Sequence, residues 1–176
     1  MSEYPSDISP RPADTPDVSV VIVNYNVREF LAQALKSVER ASAHLRVETI
    51  VVDNNSIDGS VRMLESEFPD VTVIANSENV GFGRANNIGI RRASGRHILI
   101  LNPDTIVQED TLDTLCTWLD DHPECGAVGC QILNPDGSFA PESRRSFPTP
   151  EIAFYRMTGL SRLFPRSRVF GRYNLS

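Results

Sequence analysis

Arg96-His97-Ile98-Leu99-Ile100-Leu101-Asn102-Pro103-Asp104-Thr105 runs through four consecutive aliphatic residues and stops at a carboxylate held beside a proline. The lack of polar alternation suits a strand covered on both faces, as in the parallel sheet of an α/β domain. Asn102 and Asp104 follow at its carboxyl end, the edge at which open α/β sheets bind ligands. Pro103 has no backbone N–H and a fixed φ, so the ladder ends there in a stiff turn. The Asn-x-Asp spacing puts two oxygen-bearing side chains within reach of one hard cation. A capping role for Asp104 or Thr105 at the next helix is the competing reading, and the segment alone leaves both open.

The rest of the chain bounds the alternatives. With 176 residues, 40% of them hydrophobic, it can bury a full core, and one domain is expected. No apolar run approaches the ~18 residues of a membrane span. The start of the chain is acidic and Pro-rich, unlike a secretory signal, so a cytoplasmic protein is expected. Cys116, Cys125 and Cys130 lack the paired spacing of a zinc site, although His122 lies between the first two, and reduced structural thiols are expected. Residues 1–139 hold ten basic and twenty-one acidic side chains, whereas residues 140–176 hold seven Arg and two Glu. That arginine-rich end suits a phosphate-bearing partner or the inner face of a cell membrane, and equally an ordinary solvated surface.

Residues 1–16, with four prolines and no periodicity, are expected to be a disordered leader. Val18-Ser19-Val20-Val21-Ile22-Val23 reads as a central strand ending at Asn24-Tyr25-Asn26. Phe30, Leu31, Ala34, Leu35 and Val38 recur at helical spacing, giving a helix to about residue 43. Val47-Glu48-Thr49-Ile50-Val51-Val52 is a second strand, ending at Asp53-Asn54-Asn55-Ser56. Asp58 can cap a helix carrying Val61, Leu64 and Phe68 that Pro69 closes. Val71-Thr72-Val73-Ile74 is a third strand, followed by a helix over about 83–93 that Gly95 stops. After the 97–101 strand come a helix over about 109–121, a further strand at 127–133, a turn at Asn134-Pro135-Asp136-Gly137 leading into a return strand or ribbon, and a short helix at about 151–163. This alternation predicts right-handed βαβ crossovers and a Rossmann-like, mostly parallel sheet flanked by helices.

Three strands therefore end in nucleotide-suited side chains at one edge of one sheet: Asn24-Tyr25-Asn26, Asp53-Asn54-Asn55-Ser56 and Asn102-Pro103-Asp104. Asp53 can accept from a pyrimidine N3–H or a ribose hydroxyl, and Asp104 can hold a divalent metal that neutralises a diphosphate. Gly81-x-Gly83-x-x-Asn86 is only superficially a dinucleotide fingerprint, because it follows the third strand and lacks the last glycine. No glycine loop follows the first strand and no Walker sequence occurs, which sets aside nicotinamide, flavin and P-loop enzymes. A helix N-terminus after Gly81 could still support an anion or the pocket floor.

Val-Ser-Val-Val-Ile-Val-Asn-Tyr-Asn (18–26), Val-Val-Asp-Asn-Asn-Ser-x-Asp-Gly-Ser (51–60), Asn-Val-Gly-Phe-Gly-x-Ala-Asn-Asn-x-Gly (79–89) and Leu-Asn-Pro-Asp-Thr (101–105) resemble family 2 of the inverting nucleotide-sugar glycosyltransferases, of GT-A fold, and in particular its bacterial rhamnosyltransferase-like branch. The resemblance covers about residues 17–150. It implies a nucleotide site made by Asn24, Tyr25, Asn26, Asp53, Asn55, Gly81 and Asn86, with Asp53 on the base. It also implies that Asp104 is the metal-binding Asp of the D-x-D motif, with Asn102 in place of the first Asp and Mn²⁺ or Mg²⁺ as the cofactor. Arg144 and Arg145, in a stretch common in that branch, are candidates for contact with a diphosphate or a lipid-linked acceptor.

The reaction so implied transfers a sugar, with inversion, from a dTDP- or UDP-linked donor, dTDP-rhamnose being the first expectation, to a cell-surface polysaccharide or lipid-linked acceptor. Residues 17–140 are then a nucleotide-sugar-binding domain, and 141–176 begin an acceptor-side region. An acceptor hydroxyl must lose a proton as it attacks, and after Asp136 the chain offers only Glu142 and Glu151. Neither lies in an acidic, aromatic cluster, so the base is expected beyond Ser176, in a longer protein of which this chain is the donor-binding half. Two other readings stand beside it: a nucleotide-sugar-binding module that never catalyses, and a sugar-1-phosphate nucleotidyltransferase, which would want a basic glycine-rich loop after the first strand.

Overall fold

A computed structural model describes residues 14–140, 149–164, 167, 169 and 170. They fall into two compact units, Met1–Gly126 and Ala127–Ser176. The first alternates β1 (Val18–Asn24), α1 (Arg28–Ala41), β2 (Val47–Asp53), α2 (Ser60–Glu67), β3 (Thr72–Ala75), α3 (Phe82–Arg92), β4 (His97–Leu101) and α4 (Thr111–Asp121). All strand pairs are parallel, in the order β3-β2-β1-β4. The α/β, GT-A-like architecture expected from the sequence is the one observed.

β1 is the centre. All seven of its residues are buried, because both its edges are paired and both its faces are covered. On one face Val20 and Ile22 pack with Val51, with Leu31, Leu35 and Val38 of α1, with Met63 and Leu64 of α2, and with Leu112 of α4. On the other, Val23, Ile50 and Val52 pack against Ala85 of α3. Gly89 lets α3 lie close: a Cβ there would stand 2.4 Å from Cγ1 of Val21.

The chain steps outward from β1 to β2 to β3 and then returns to the opposite side of β1 for β4. The strand order thus reverses between β1 and β4, and the covering helices change face with it. Such a reversal opens a crevice outside the carboxyl ends of the two strands, since adjacent connections leave in opposite directions.

Several expectations are corrected here. Phe30, assigned to the apolar stripe of α1, is exposed; Leu31, Ala34, Leu35 and Val38 already complete the buried stripe, and Phe30 points a step away around the helix. β4 is covered on one face only. Leu99 and Leu101 meet the α1 side, but Ile98 and Ile100 are 44% and 51% exposed, because α3 lies over β1 and β2. Gly95 does not stop α3 through a left-handed turn; it is needed because a side chain there would meet the backbone and hydroxyl of Ser19 at 2.5 and 2.7 Å.

In the second unit, residues 127–133 form no strand. The only pairing among them is an isolated antiparallel bridge between Leu133 and Phe139, on either side of the expected Asn134–Gly137 turn. A strand exists only where a ladder partner runs alongside, and here the partner lasts one residue. The helical segment at 151–163 is two helices, α5 (Pro150–Met157) and α6 (Leu160–Leu163), broken at Gly159, whose φ is +76°.

Candidate functional site

The carboxyl edge of the sheet is built by hydrogen bonds between consecutive strand ends. Asn24 and Asp53 are the last paired residues of β1 and β2. The Asn24 Nδ2 donates to Asp53 Oδ1 at 2.7 Å and to the Ser56 hydroxyl oxygen at 3.0 Å. Asp53 Oδ2 accepts from the Ser56 backbone N–H at 2.8 Å. The next rung continues outward: the Asn54 N–H donates to the Asn24 carbonyl, the Asn76 N–H to the Asp53 carbonyl, and Asn76 Nδ2 to Asn54 Oδ1 at 2.9 Å. One polar residue at each strand end therefore locks three loops into a single wall.

Two asparagines turn the chain at this wall. Among the described residues, Asn26 (φ +54°) and Asn55 (φ +66°) are the non-glycine residues of positive φ, a conformation Asn tolerates better than most side chains. The Asn26 N–H donates to Ser56 Oγ, and Asn26 Oδ1 accepts from the Ile57 N–H at 2.8 Å, so the two loops brace each other. Tyr25, between them and Asn24, is half exposed beside this edge. Asp58 accepts from the N–H and hydroxyl of Ser60 and from the Arg28 N–H, joining the starts of α1 and α2. Burial raises its carboxyl pKa, but those hydrogen bonds together outweigh burial and hold it below the usual value. Asp58 thus serves the capping role expected for α2, from the position before its left-handed Gly59 N-cap.

Two buried side-chain oxygens have no hydrogen-bond partner among the described residues: Asn24 Oδ1 and Asn86 Oδ1. The amide orientations follow from chemistry, since each Nδ2 faces an atom that can only accept, the Asp53 carboxylate for Asn24 and the Phe82 carbonyl for Asn86. A buried acceptor without a donor costs about 1–3 kcal/mol, a cost that a bound donor group removes. Asn86 lies in the first half of α3, beside Ala85, which packs on Val23 and Val52 near the ends of β1 and β2. Gly81 (φ +84°) makes the turn into that helix, its N–H held by Asn79 Oδ1.

On the other side of the reversal point, β4 ends at Leu101, paired with Ile22, and releases Asn102, Pro103 and Asp104. The capping alternative for Asp104 and Thr105 fails. α4 starts only at Thr111 with Asp110 as its N-cap, and the Thr105 N–H closes a local turn onto the Asn102 carbonyl. Asn102 and Asp104 are exposed, and among the described residues neither side chain is engaged in a hydrogen bond or ion pair. One carboxylate and one amide oxygen are too few for an all-protein cage, and no group of three or more His, Cys, Asp or Glu suited to a metal occurs among the described residues. They fit the Mg²⁺ or Mn²⁺ pattern, in which few protein ligands share the ion with phosphate oxygens and water.

Arg144, Arg145 and Glu142 lie outside the described residues. Glu151 is exposed, in the first turn of α5. The three cysteines are free, Cys116 in the core, where burial pushes its thiol pKa up. Asn54 belongs to the expected strand end at 53–56, whereas Asn76 was not expected at this edge; its signal is a carboxamide directly following β3.

The profile of the family described as Glycosyl transferase family 2 matches residues 19–174. The chain is 35% identical over 142 residues to succinoglycan biosynthesis protein ExoO of Rhizobium meliloti (strain 1021), covering 78% of this chain and 39% of that protein. It is 28% identical over 137 residues to the N-acetylglucosaminyl-diphospho-decaprenol L-rhamnosyltransferase of Mycobacterium tuberculosis (strain ATCC 25618 / H37Rv), covering 72% and 44%. Among solved structures it is similar to mannosyltransferase PcManGT from Pyrobaculum calidifontis in complex with GDP-Man and Mn²⁺, with a TM-score of 0.59, 30% identity, and coverage of 76% of this chain and 40% of that one. The chain thus spans less than half the length of each of these proteins.

Proposed function

Because the chain belongs to glycosyl transferase family 2, we propose that it is the donor-binding part of an inverting glycosyltransferase that moves a sugar from a nucleoside diphosphate to a cell-surface polysaccharide or lipid-linked acceptor. The observation that carries this reading is a pair of buried amide oxygens, Asn24 Oδ1 and Asn86 Oδ1, with no hydrogen-bond partner among the described residues, together with an Asp104 side chain left unengaged after β4. The N3–H of a pyrimidine base can supply one of the donors that Asn24, Asn86 and Asp53 lack, and a half-exposed Tyr25 offers a ring for the base to lie against. Asp104, with Asn102, would hold Mn²⁺ or Mg²⁺, which supplies positive charge against the diphosphate that departs. The solved relative in complex with GDP-Man and Mn²⁺ supports donor and metal alike, and the relative named as a rhamnosyltransferase supports dTDP-rhamnose as the first donor to try.

In this reading the chain's own residues bind and orient the donor, and the acceptor's proton is taken elsewhere. We assign that proton transfer to sequence beyond residue 176, and Arg144 and Arg145 to the diphosphate or a lipid-linked acceptor at the inner face of the cell membrane. Among the described residues, no helix is long and apolar enough to cross a membrane, so such contact would be peripheral. Titration calorimetry with UDP, dTDP and GDP, each with Mn²⁺, tests the proposal. Binding of one of them at micromolar to submillimolar affinity is expected, and a folded protein that binds none refutes it. A radiolabelled-donor assay on this chain and on one extended by its natural downstream sequence tests the placement of the base: transfer is expected only from the longer protein.

A further inference from the structure

α1 buries one polar side chain among its apolar ones, Ser37, which is fully inaccessible. Its hydroxyl donates to the Ala34 carbonyl at 2.7 Å, so the proton is committed within the helix, and the oxygen accepts the backbone N–H of Val107 at 3.0 Å. Residues 102–110, between β4 and α4, have no helix or strand of their own. The other backbone hydrogen bonds of this connection are local, Thr105 to Asn102, Thr111 to Gln108 and Thr114 to Asp110. Among the described residues, the Ser37 bond is the one that ties it to an element other than the β4 and α4 that flank it. The Val107 side chain enters the core beside it.

We propose that Ser37 is a positioning residue for Asp104. The turn 102–106 is pinned at one end by the ladder pairing of Leu101 with Ile22 and at the other by Val107 on Ser37. Three residues of chain reach about 10 Å at most, so a fixed Val107 confines Asp104 to a small arc beside the end of β1. Without the serine oxygen, the Val107 N–H is buried with no acceptor. The connection then shifts to hydrate it, and the carboxylate moves with it. This rests on the reading of Asp104 as a metal ligand; the tether itself does not.

Ser37→Ala in the 176-residue chain tests both halves. Amide exchange and ¹H–¹⁵N shifts report the loop, and titration of Mn²⁺ by electron paramagnetic resonance in the presence of UDP reports the ligand. At least tenfold faster exchange at Val107, shifted or broadened amides at Asp104 and Thr105, and an at least fivefold weaker Mn²⁺ affinity are expected, with metal-free UDP affinity changed less than twofold. Ile50→Val, a comparable loss in the other core cluster, should move none of these. Ser37→Cys, which keeps a longer and weaker acceptor, should fall between wild type and Ser37→Ala and replaces the alanine variant should that one not fold. Wild-type amides at Asp104 and Thr105 with unchanged Mn²⁺ affinity in the variants would overturn the proposal. Failure of the wild-type chain to take up Mn²⁺ with UDP would instead sink the metal reading, and the amide data would still decide the tether.

Discussion

Asn24 and Asp53 face each other on the last rung of the β1–β2 ladder, and the amide of one donates to the carboxylate of the other across 2.7 Å in a fully buried pair. Replacing Asn24 by Ala takes a donor from a buried carboxylate, so a stability loss of about 1–3 kcal/mol is expected in urea denaturation. Asn24→Asp should be worse at pH 7, because two buried carboxylates in contact cannot both ionise. The gap between the two variants should narrow as the pH falls toward 4 and a proton becomes available to the pair. A gap that does not change with pH would show that the Asn24–Asp53 contact is not the source.

Gly89 and Gly83, six residues apart on α3, should respond to alanine with opposite signs. At Gly89 the new methyl would stand 2.4 Å from Val21 Cγ1 and 3.2 Å from Val52 Cγ2, so α3 must lift from the sheet, at a cost of roughly 1–3 kcal/mol. At Gly83 nothing lies within 4 Å, and the helical backbone accepts Ala, so a gain of up to about 1 kcal/mol is expected. Paired thermal melts of the two variants check the contrast.

Asp104→Ala should be silent in stability, within about 0.5 kcal/mol, because the carboxylate is exposed and holds nothing in the fold. Its effect should appear only with a nucleoside diphosphate present, as loss of the metal dependence of binding. By the same argument, EDTA should leave the melting temperature of the free chain unchanged. A drop on chelation would mean a structural metal that the two ligands described above do not make.

Acid should weaken the fold from the edge opposite the site. Burial pushes the Glu48 carboxyl up, but hydrogen bonds from the Ser19 hydroxyl and the Ser94 N–H, with Arg92 nearby, outweigh it and hold its pKa below the ordinary 4.5. The Arg96 guanidinium, against a smaller opposing effect of burial, and then His97 hold Asp120 below the ordinary 3.8. A carboxylate depressed in the folded state contributes fully above its unfolded value and is lost as the pH falls through the folded one. The urea midpoint should therefore be flat down to about pH 4.5 and fall below it, and Glu48→Gln should remove part of that slope while lowering stability at neutral pH.

What the sequence made legible was what repeats with a short period or ends abruptly. The largely apolar runs at 18–23, 47–52 and 98–101 and the carboxamides and carboxylates that follow them were enough to place Asn24, Asp53 and Asp104 at one edge, because a parallel sheet delivers every strand end to the same side. What stayed hidden depended on partners far along the chain. Ile98 and Ile100 read as buried, since a run of aliphatics does not reveal that α3 stops short of β4. Nothing local to Ser37 announces its hydrogen bond to Val107. Gly95 looked like a helix stop, yet its constraint is Ser19, on another strand.

The central place of β1 also sets an order of events during synthesis. Its two edges are claimed by β2 and β4, and β4 is made only after β2, α2, β3 and α3. One edge of the most deeply buried strand must therefore wait, open to other chains, until His97–Leu101 has left the ribosome. The segment that finally closes that edge is the one that brings Asp104 to its place, so the nascent chain covers that open edge and sets the Asp104 carboxylate beside it within a few residues of elongation.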